Sequence, residues 1–293
     1  MSLPLYFRFI KLYFRDKMGV FYSLMGAIVV IFLYFMFLAN NQIAIVKEQA
    51  PQVGGKEASY LVHSLILAGL LSVTTVTSVL GAYSTMISDW EEHLMMDFRS
   101  SPLSRRAYPA ASALSALTIG VLVSLLSFIV YQIGIYIGTG YLIPWDKGVL
   151  TLVLVLGTSL FSALLFGAVC SVIRSMRTYS GISLLIGSLI GFVNGLYVPV
   201  TTLAEPVQIG ILFLPFIHLS SLYRSVLCED PQKIVFTGAP PALIDEYRRM
   251  IGLDLTFNGR EITTLTSICY LLIWAIIGGA LFLASWGRKE KEI

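Results

Sequence analysis

The chain has 293 residues, of which 56% are hydrophobic and 13% charged, and its formal net charge is +3. Its mean hydropathy of +0.80 excludes an ordinary soluble domain, in which about a quarter of the residues are charged. The basic residues stand in small groups beside apolar runs, which argues against a nucleic-acid-binding surface.

The first predicted element is an amphipathic helix over residues 5–17. Its basic residues recur three or four positions apart, which places on one helical face Arg8, Lys11 and Arg15. The opposite face carries Leu5, Phe9, Leu12 and Tyr13. This pattern predicts a helix lying in the inner membrane interface, with its cations at the lipid headgroups. A positively charged flank that only fixes the topology is the alternative.

Apolar runs long enough to span a bilayer follow along the chain. A spanning helix needs roughly 20 apolar residues, because its backbone polar groups have to be paired within the segment. The candidate spans are residues 18–38, 60–87, 108–138, 149–173, 179–200 and 262–286. The sequence therefore predicts an all-α integral membrane protein with six transmembrane helices, in which residues 1–293 form a single transmembrane domain.

The distribution of Lys and Arg predicts the orientation. Most basic residues of the short loops lie on the side of the N-terminus, so both termini are predicted to be cytoplasmic, in the plasma membrane. Residues 207–222 are apolar but short, and a further span there would move the basic C-terminal tail outside. We therefore expect residues 201–261 to form an extracellular cap that contains a re-entrant segment between the fifth and sixth spans.

Two spans carry small or hydroxylated residues at helical spacing. In the fifth span, glycines recur every four residues at Gly187, Gly191 and Gly195, and such spacing lets helix backbones approach closely in lipid. The contact could lie within one subunit or between two subunits. In the second span, one stripe contains Thr74, Ser78 and Thr85. It either lines a substrate path or packs against a neighbouring helix.

The loop between the second and third spans is predicted to be cytoplasmic and is the most informative stretch. Its candidate site residues are Asp89, Trp90, Glu91, Glu92, His93, Leu94, Asp97, Phe98 and Arg99. At about 100° per residue, Trp90, Leu94 and Phe98 share an apolar arc, and most charged residues lie opposite. Pro102 should end the helix. The pattern predicts a short amphipathic helix suited to transmitting movement from a soluble partner, with a solvated loop as the alternative.

This loop resembles the coupling region of type-2 ABC transporter permeases, in which an acidic pair and a short helix precede Ser-Pro or Thr-Pro. The matching positions are Asp89, Glu91, Leu94, Ser101, Pro102, Leu103, Ser104 and Arg105. Trp90 and His93 depart from the commoner family pattern. A second resemblance follows the fifth span, in residues 194–199, 203–206 and 214–215 and in Arg224.

The resemblance implies a half-transporter of the exporter type, which works as a dimer with two ATPase subunits. The second permease would be another copy of the chain or a sister permease. The chain itself would be no enzyme and would bind no cofactor, with ATP and Mg held by the partner ATPase. In agreement, the sequence has no Gly-x-x-x-x-Gly-Lys-Ser/Thr loop. A drug, a peptide, a lipid and a glycan all remain candidate substrates.

Other function classes fit less well. An intramembrane metalloprotease would need closely spaced metal ligands, whereas His63, His93 and His218 lie on separate segments without a His-Glu-x-x-His pair. The sequence therefore predicts no metal site. Mid-span Asp, Glu, Lys and Arg residues, which ion-coupled transporters use as relays, do not occur. A passive channel or a toxin-immunity membrane protein remains the alternative, although neither explains the loop at residues 89–99.

Overall fold

The computed structural model describes residues 3–21, 28, 32, 39–100, 104, 106–257 and 260–289. Most of the first predicted span, residues 18–38, lies outside these described residues. The helices are α1 Leu3–Arg15, α2 Ala39–Gln49, α3 Gly55–Ala82, α4 Ser84–Glu91, α5 Met95–Ser100, α6 Ala107–Thr139, α7 Trp145–Val172, α8 Met176–Val193, α9 Glu205–Leu212, α10 Pro215–Leu227, α11 Glu229–Val235, α12 Pro241–Met250 and α13 Thr264–Lys289. A 3₁₀ turn covers Val200–Thr202, and β1 Leu255–Phe257 pairs antiparallel with β2 Arg260–Ile262.

Five helical stretches among the described residues are long and apolar enough to cross a membrane. They are Gly55–Glu91, which combines α3 and α4, then α6, α7, α8 and Thr264–Trp286 of α13. The helices α9 and α10 meet at an angle of 82°, as in a broken span or a re-entrant loop. The all-α membrane class is therefore confirmed. The number of spans and their orientation stay predictions.

α3 is the central helix of the bundle. Its most apolar window is 94% buried, because the helix is hydrophobic on all sides and α6, α7, α8 and α10 pack around it. Several of its hydroxyl side chains bond to carbonyls of the same helix, namely those of Ser72, Thr75, Thr77 and Ser78. The surrounding helices α6, α7, α8 and α13 leave much of their apolar surface on the outside of the bundle.

The predicted fifth span is longer than the helix that forms there. Residues 179–200 were expected to be one span, whereas α8 ends at Val193. Gly195 has a φ of +61°, a left-handed conformation that stops the helix and that glycine adopts without strain. The chain then turns back into the 3₁₀ turn and α9.

The segment after α8 is held in place by a buried arginine of α10. Arg224 is 1% exposed and donates hydrogen bonds to the carbonyls of Asn194, Gly195 and Gly252 at 2.8, 3.0 and 3.2 Å. Gly252 has a φ of +67°, and a Cβ atom there would lie 2.6 Å from the Arg224 guanidinium. Arg224 therefore joins α10 both to the end of α8 and to the segment after α12.

Candidate functional site

The loop segment, which we define as residues 89–98, does not form the single helix expected from its sequence. α4 ends at Glu91, residues 92–94 form a turn, and α5 begins at Met95. His93 at this turn has a φ of +60°, which is uncommon for a residue with a Cβ atom. The prediction of one uninterrupted helix is wrong at this point, because the left-handed residue changes the direction of the chain.

Asp89 lies inside the protein, at the start of the loop segment. Its carboxylate accepts two hydrogen bonds of 2.7 Å from Arg8 of α1 and one of 2.6 Å from the Tyr108 hydroxyl of α6. The side chain of Asp89 is 3% exposed and that of Arg8 is 29% exposed. A buried carboxylate needs such partners, and a bidentate arginine is among the strongest.

This arrangement corrects two expectations. Asp89 was expected on the polar, solvated side of a helix, and Arg8 was expected at the lipid headgroups. Instead the two side chains pair with each other, and the hydrogen bonding of Arg8 to the Asp89 carboxylate is the largest cause of a raised pKa of Arg8. Helical periodicity assigned both residues to polar faces, but it contains no information on a partner from another helix.

Aromatic side chains surround the Arg8–Asp89 pair. The Tyr108 ring stacks on Trp286 of α13 at 5.3 Å between centroids and meets the Phe98 ring at 5.4 Å. Trp90 contacts Trp286 edge to face at 5.9 Å, and the Arg8 guanidinium lies 5.2 Å from the centre of the Phe98 ring. Aromatic and cation–π contacts of this kind stabilise the packing. They join α1, α4, α5, α6 and α13 at one end of the bundle.

Glu91 connects the loop segment to the next connection at the same end of the bundle. Its Oε2 accepts a hydrogen bond of 3.2 Å from the backbone N–H of Met176, the first residue of α8. A carboxylate is favourable at this position, since the first N–H groups of a helix lack partners within the helix. The loop segment is therefore bonded to the start of α8 as well as to α1 and α6.

The remaining polar residues of the loop segment point away from the bundle. Glu92, His93 and Asp97 are exposed, and Leu94 is half-buried. Glu92 also accepts a hydrogen bond of 2.7 Å from Ser88. The side chain of Arg99 and residues 101–103 and 105 of the motif lie outside the described part. The loop segment thus has an outward acidic side and an inward side that is fixed to the bundle.

The N-terminal helix α1 packs against this site. Its buried residues are Leu5, Phe9 and Tyr13, and the Phe9 ring lies 5.2 Å from that of Tyr108. Lys11 and Arg15 are exposed. The apolar face opposite the cations therefore contacts the protein, whereas the sequence pattern had suggested that it faces lipid. A helical wheel cannot distinguish these two apolar surroundings.

The predicted stripes lie elsewhere in the structure. Thr74 and Ser78 are fully buried in α3, Ser78 donates to the Thr74 carbonyl at 2.6 Å, and Thr85 is half-buried. These placements leave their role in a substrate path a prediction.

The glycines of the fifth predicted span have three different surroundings. A Cβ atom at Gly191 would collide with the Tyr197 ring, so this glycine allows a contact within the subunit. Gly195 lies in the turn after α8. Gly187 has no neighbouring atom within 4 Å of a Cβ position among the described residues, and a contact with a second subunit there stays a prediction.

Sequence reasoning missed Tyr108 and Trp286 as parts of the site. Tyr108 stands at the start of a span and Trp286 near the end of another, positions at which aromatic residues commonly mark the membrane surface. No local pattern distinguishes such an anchor from a residue that packs on a buried ion pair.

Comparison with known protein families identifies a match over most of the chain. The model of a protein family described as ABC-2 type transporter matches residues 4–228, from α1 to the end of α10. The matched part therefore includes the loop segment and the segment after α8. No curated protein matches the chain.

Proposed function

Because the chain belongs to the ABC-2 type transporter family, we propose that it is the membrane subunit of an ATP-driven exporter and couples to ATPase subunits on separate chains. Members of this family are transmembrane components of ABC systems and normally work with ATPase subunits. The chain is accordingly a multi-pass membrane protein. Its function as an exporter, its location in the plasma membrane and the cytoplasmic position of both termini are parts of the proposal.

The observation that carries the proposal is the two-sided loop segment. Its outward side presents Glu92, His93 and Asp97 to solvent, where a soluble ATPase can contact them. On its inward side Asp89 fixes it to α1 and α6, and the exposed Glu91 bonds it to the start of α8. A displacement of the loop segment would therefore move several membrane helices together.

The proposed mechanism is alternating access. Two ATPase subunits, which hold ATP and Mg, approach each other and push on the loop segments of two paired membrane subunits. The Asp89 carboxylate transmits the movement, because it is hydrogen-bonded to both α1 and α6. The helices then reshape a path between the two membrane subunits. A drug, a peptide, a lipid and a glycan all remain candidate substrates.

Affinity purification in mild detergent tests the proposal. The tagged chain should retain a P-loop ATPase in stoichiometric amounts, with ATPase activity in the eluate. Replacing Glu92, His93 and Asp97 together by Ala should abolish this retention. The matched control replaces three exposed residues elsewhere by Ala, namely Lys47 and Glu48 of α2 and Lys56 at the start of α3. This variant should retain the partner.

Two results would count against the coupling function. A homo-oligomer without ATPase activity would favour a passive channel or a toxin-immunity protein. Equal loss of the ATPase in both triple variants would show that the loop segment is not the docking surface.

A further inference from the structure

The N-terminal helix α1 has a second apolar face that the packing of the bundle does not cover. Its members are exposed to 58, 57 and 46% and are Leu3, Phe7 and Phe14. At about 100° per residue these side chains point within roughly 40° of one another, so they form one stripe along the helix. The buried residues Leu5, Phe9 and Tyr13 point to a different side.

The exposed cations of α1 border this stripe. Lys11 and Arg15 point roughly 90° around the helix from the apolar stripe and away from the buried face. The helix therefore has three faces, of which one packs on the bundle, one is apolar and exposed, and one is basic. Apolar and basic faces side by side are typical of a helix at the surface of an anionic membrane, where the cations reach the phosphates.

The basic face is also joined to the loop segment. Arg8 stands beside Lys11 on α1 and holds Asp89 through two hydrogen bonds of 2.7 Å. The Tyr6 hydroxyl bonds to Thr118 of α6 at 2.9 Å, which fixes the other side of α1. Any force that positions α1 against the membrane is therefore transmitted to Asp89.

We propose that α1 binds anionic phospholipid headgroups through Lys11 and Arg15, with Leu3, Phe7 and Phe14 inserted below them, and that this binding sets the position of the loop segment. The negative charge of the headgroups complements the two cations, and the acyl region accepts the apolar stripe. Lipid charge then regulates how firmly the loop segment is held. The binding itself requires no ATPase, and only its regulatory meaning rests on the proposed function.

Hydrogen exchange of the full-length protein in nanodiscs tests the lipid contact. Peptides covering residues 3–15 should exchange more slowly in phosphatidylcholine discs that contain phosphatidylglycerol than in phosphatidylcholine alone. Each basic residue near an anionic surface raises the binding affinity roughly fivefold. High salt should remove this contribution by screening. The double variant Lys11→Gln with Arg15→Gln should lose the difference between the two lipids.

A matched control removes the same charge from another surface. The double variant Lys47→Gln with Lys56→Gln should keep the lipid effect on α1. These exposed lysines lie on α2 and at the start of α3, away from α1 in the sequence. The variant Phe7→Ser with Phe14→Ser should raise exchange in both lipids alike. Equal exchange of wild-type α1 in both lipids, or an undiminished lipid effect in the Lys11 and Arg15 variant, would overturn the proposal.

The link to the loop segment is tested in the same discs. Peptides covering residues 89–98 should slow together with α1 in the wild type but not in Asp89→Asn. A response of α1 without a response of the loop segment would overturn the regulatory part. Protection of α1 that depends only on a bound ATPase, whatever the lipid, would assign the stripe to a protein contact and overturn the lipid contact.

Discussion

Arg8 and Asp89 are 81 positions apart in the sequence, and both hydrogen bonds between the guanidinium and the carboxylate are 2.7 Å long. This pair joins α1 to the loop segment, which runs from the end of α4 into α5. The Tyr108 hydroxyl completes the site at 2.6 Å from the same carboxylate. The loop segment is therefore held by α1 and α6 of the same chain.

Removing one member of this pair should destabilise the protein more than removing both. Asp89→Ala leaves the Arg8 charge and the Tyr108 hydroxyl without a partner and should cost about 2–4 kcal/mol. The double variant Arg8→Met with Asp89→Leu should recover much of this loss, because no unpaired charge remains. Thermal unfolding in detergent measures both, with Lys11→Met as the control at an exposed cation. Equal effects of the single and double variants would contradict a coupled pair.

The left-handed turn at His93 predicts an unusual order of substitutions. His93→Gly should keep or slightly raise stability, since glycine adopts a φ of +60° without a steric penalty. His93→Val should lower stability by about 1–2 kcal/mol and reduce retention of the ATPase, because a β-branched residue is strongly disfavoured there. Both variants lack the imidazole, so the difference between them isolates the backbone. Identical behaviour of the two would argue that the turn is not required.

A side chain at Gly252 should lower the stability of the protein, because Arg224 lies against this glycine. The Cβ atom of Gly252→Ala would stand 2.6 Å from the guanidinium, so we expect a loss of about 2–3 kcal/mol from backbone strain and a displaced hydrogen bond together. Gly238→Ala is the matched control, since Gly238 has a φ of +78° and open space at the Cβ position. It should lose only the part due to strain. Unfolding temperatures in detergent distinguish the two, and an equal loss would exclude the contact.

Glu229 predicts a pH-dependent contribution to stability. Hydrogen bonds from Lys147 and Lys233 lower the pKa of Glu229 from 4.5 to about 2. The stabilisation is therefore fully present above about pH 4.5 and disappears as the pH falls towards 2. The difference in unfolding temperature between wild type and Glu229→Gln should be constant above pH 5 and shrink below it. Glu246→Gln, which removes one exposed carboxylate, is the control for the change in net charge.

Cysteine labelling tests the proposed orientation. In a variant without the native cysteines, Asp245→Cys of α12 should react with an impermeant thiol reagent added outside intact cells. Arg177→Cys at the start of α8 should react only after the membrane is opened. Both positions are exposed, so access depends on the side of the membrane. Reaction in the opposite sense would reverse the topology.

The sequence predicted the helices far better than their partners. Long apolar runs located α3, α6, α7, α8 and α13 to within a few residues at most ends, since a run without charges leaves few other structures possible in a bilayer. The end of α8 was missed because it depends on one backbone angle at Gly195.

The contacts of the candidate site were not predicted, for a different physical reason. The loop segment was singled out from its charges, from Pro102 and from the family resemblance, but the pairing of Asp89 with Arg8 depends on how α1 packs on α6. A helical wheel places residues on faces and contains no information on which face meets protein, lipid or water. The same gap explains why the stripe of Leu3, Phe7 and Phe14 was overlooked and why Tyr108 and Trp286 were not identified.

The position of α3 in the bundle bears on how the protein is made. During synthesis this helix leaves the ribosome before α6, α7 and α8 exist, so it has to enter the membrane without the neighbours that later bury it. The hydroxyls of Ser72, Thr75, Thr77 and Ser78 already bond to carbonyls of their own helix, which lowers the cost of placing them in lipid. α3 is thus suited to remain in the bilayer as a single helix until the later helices α6, α7, α8 and α10 pack around it.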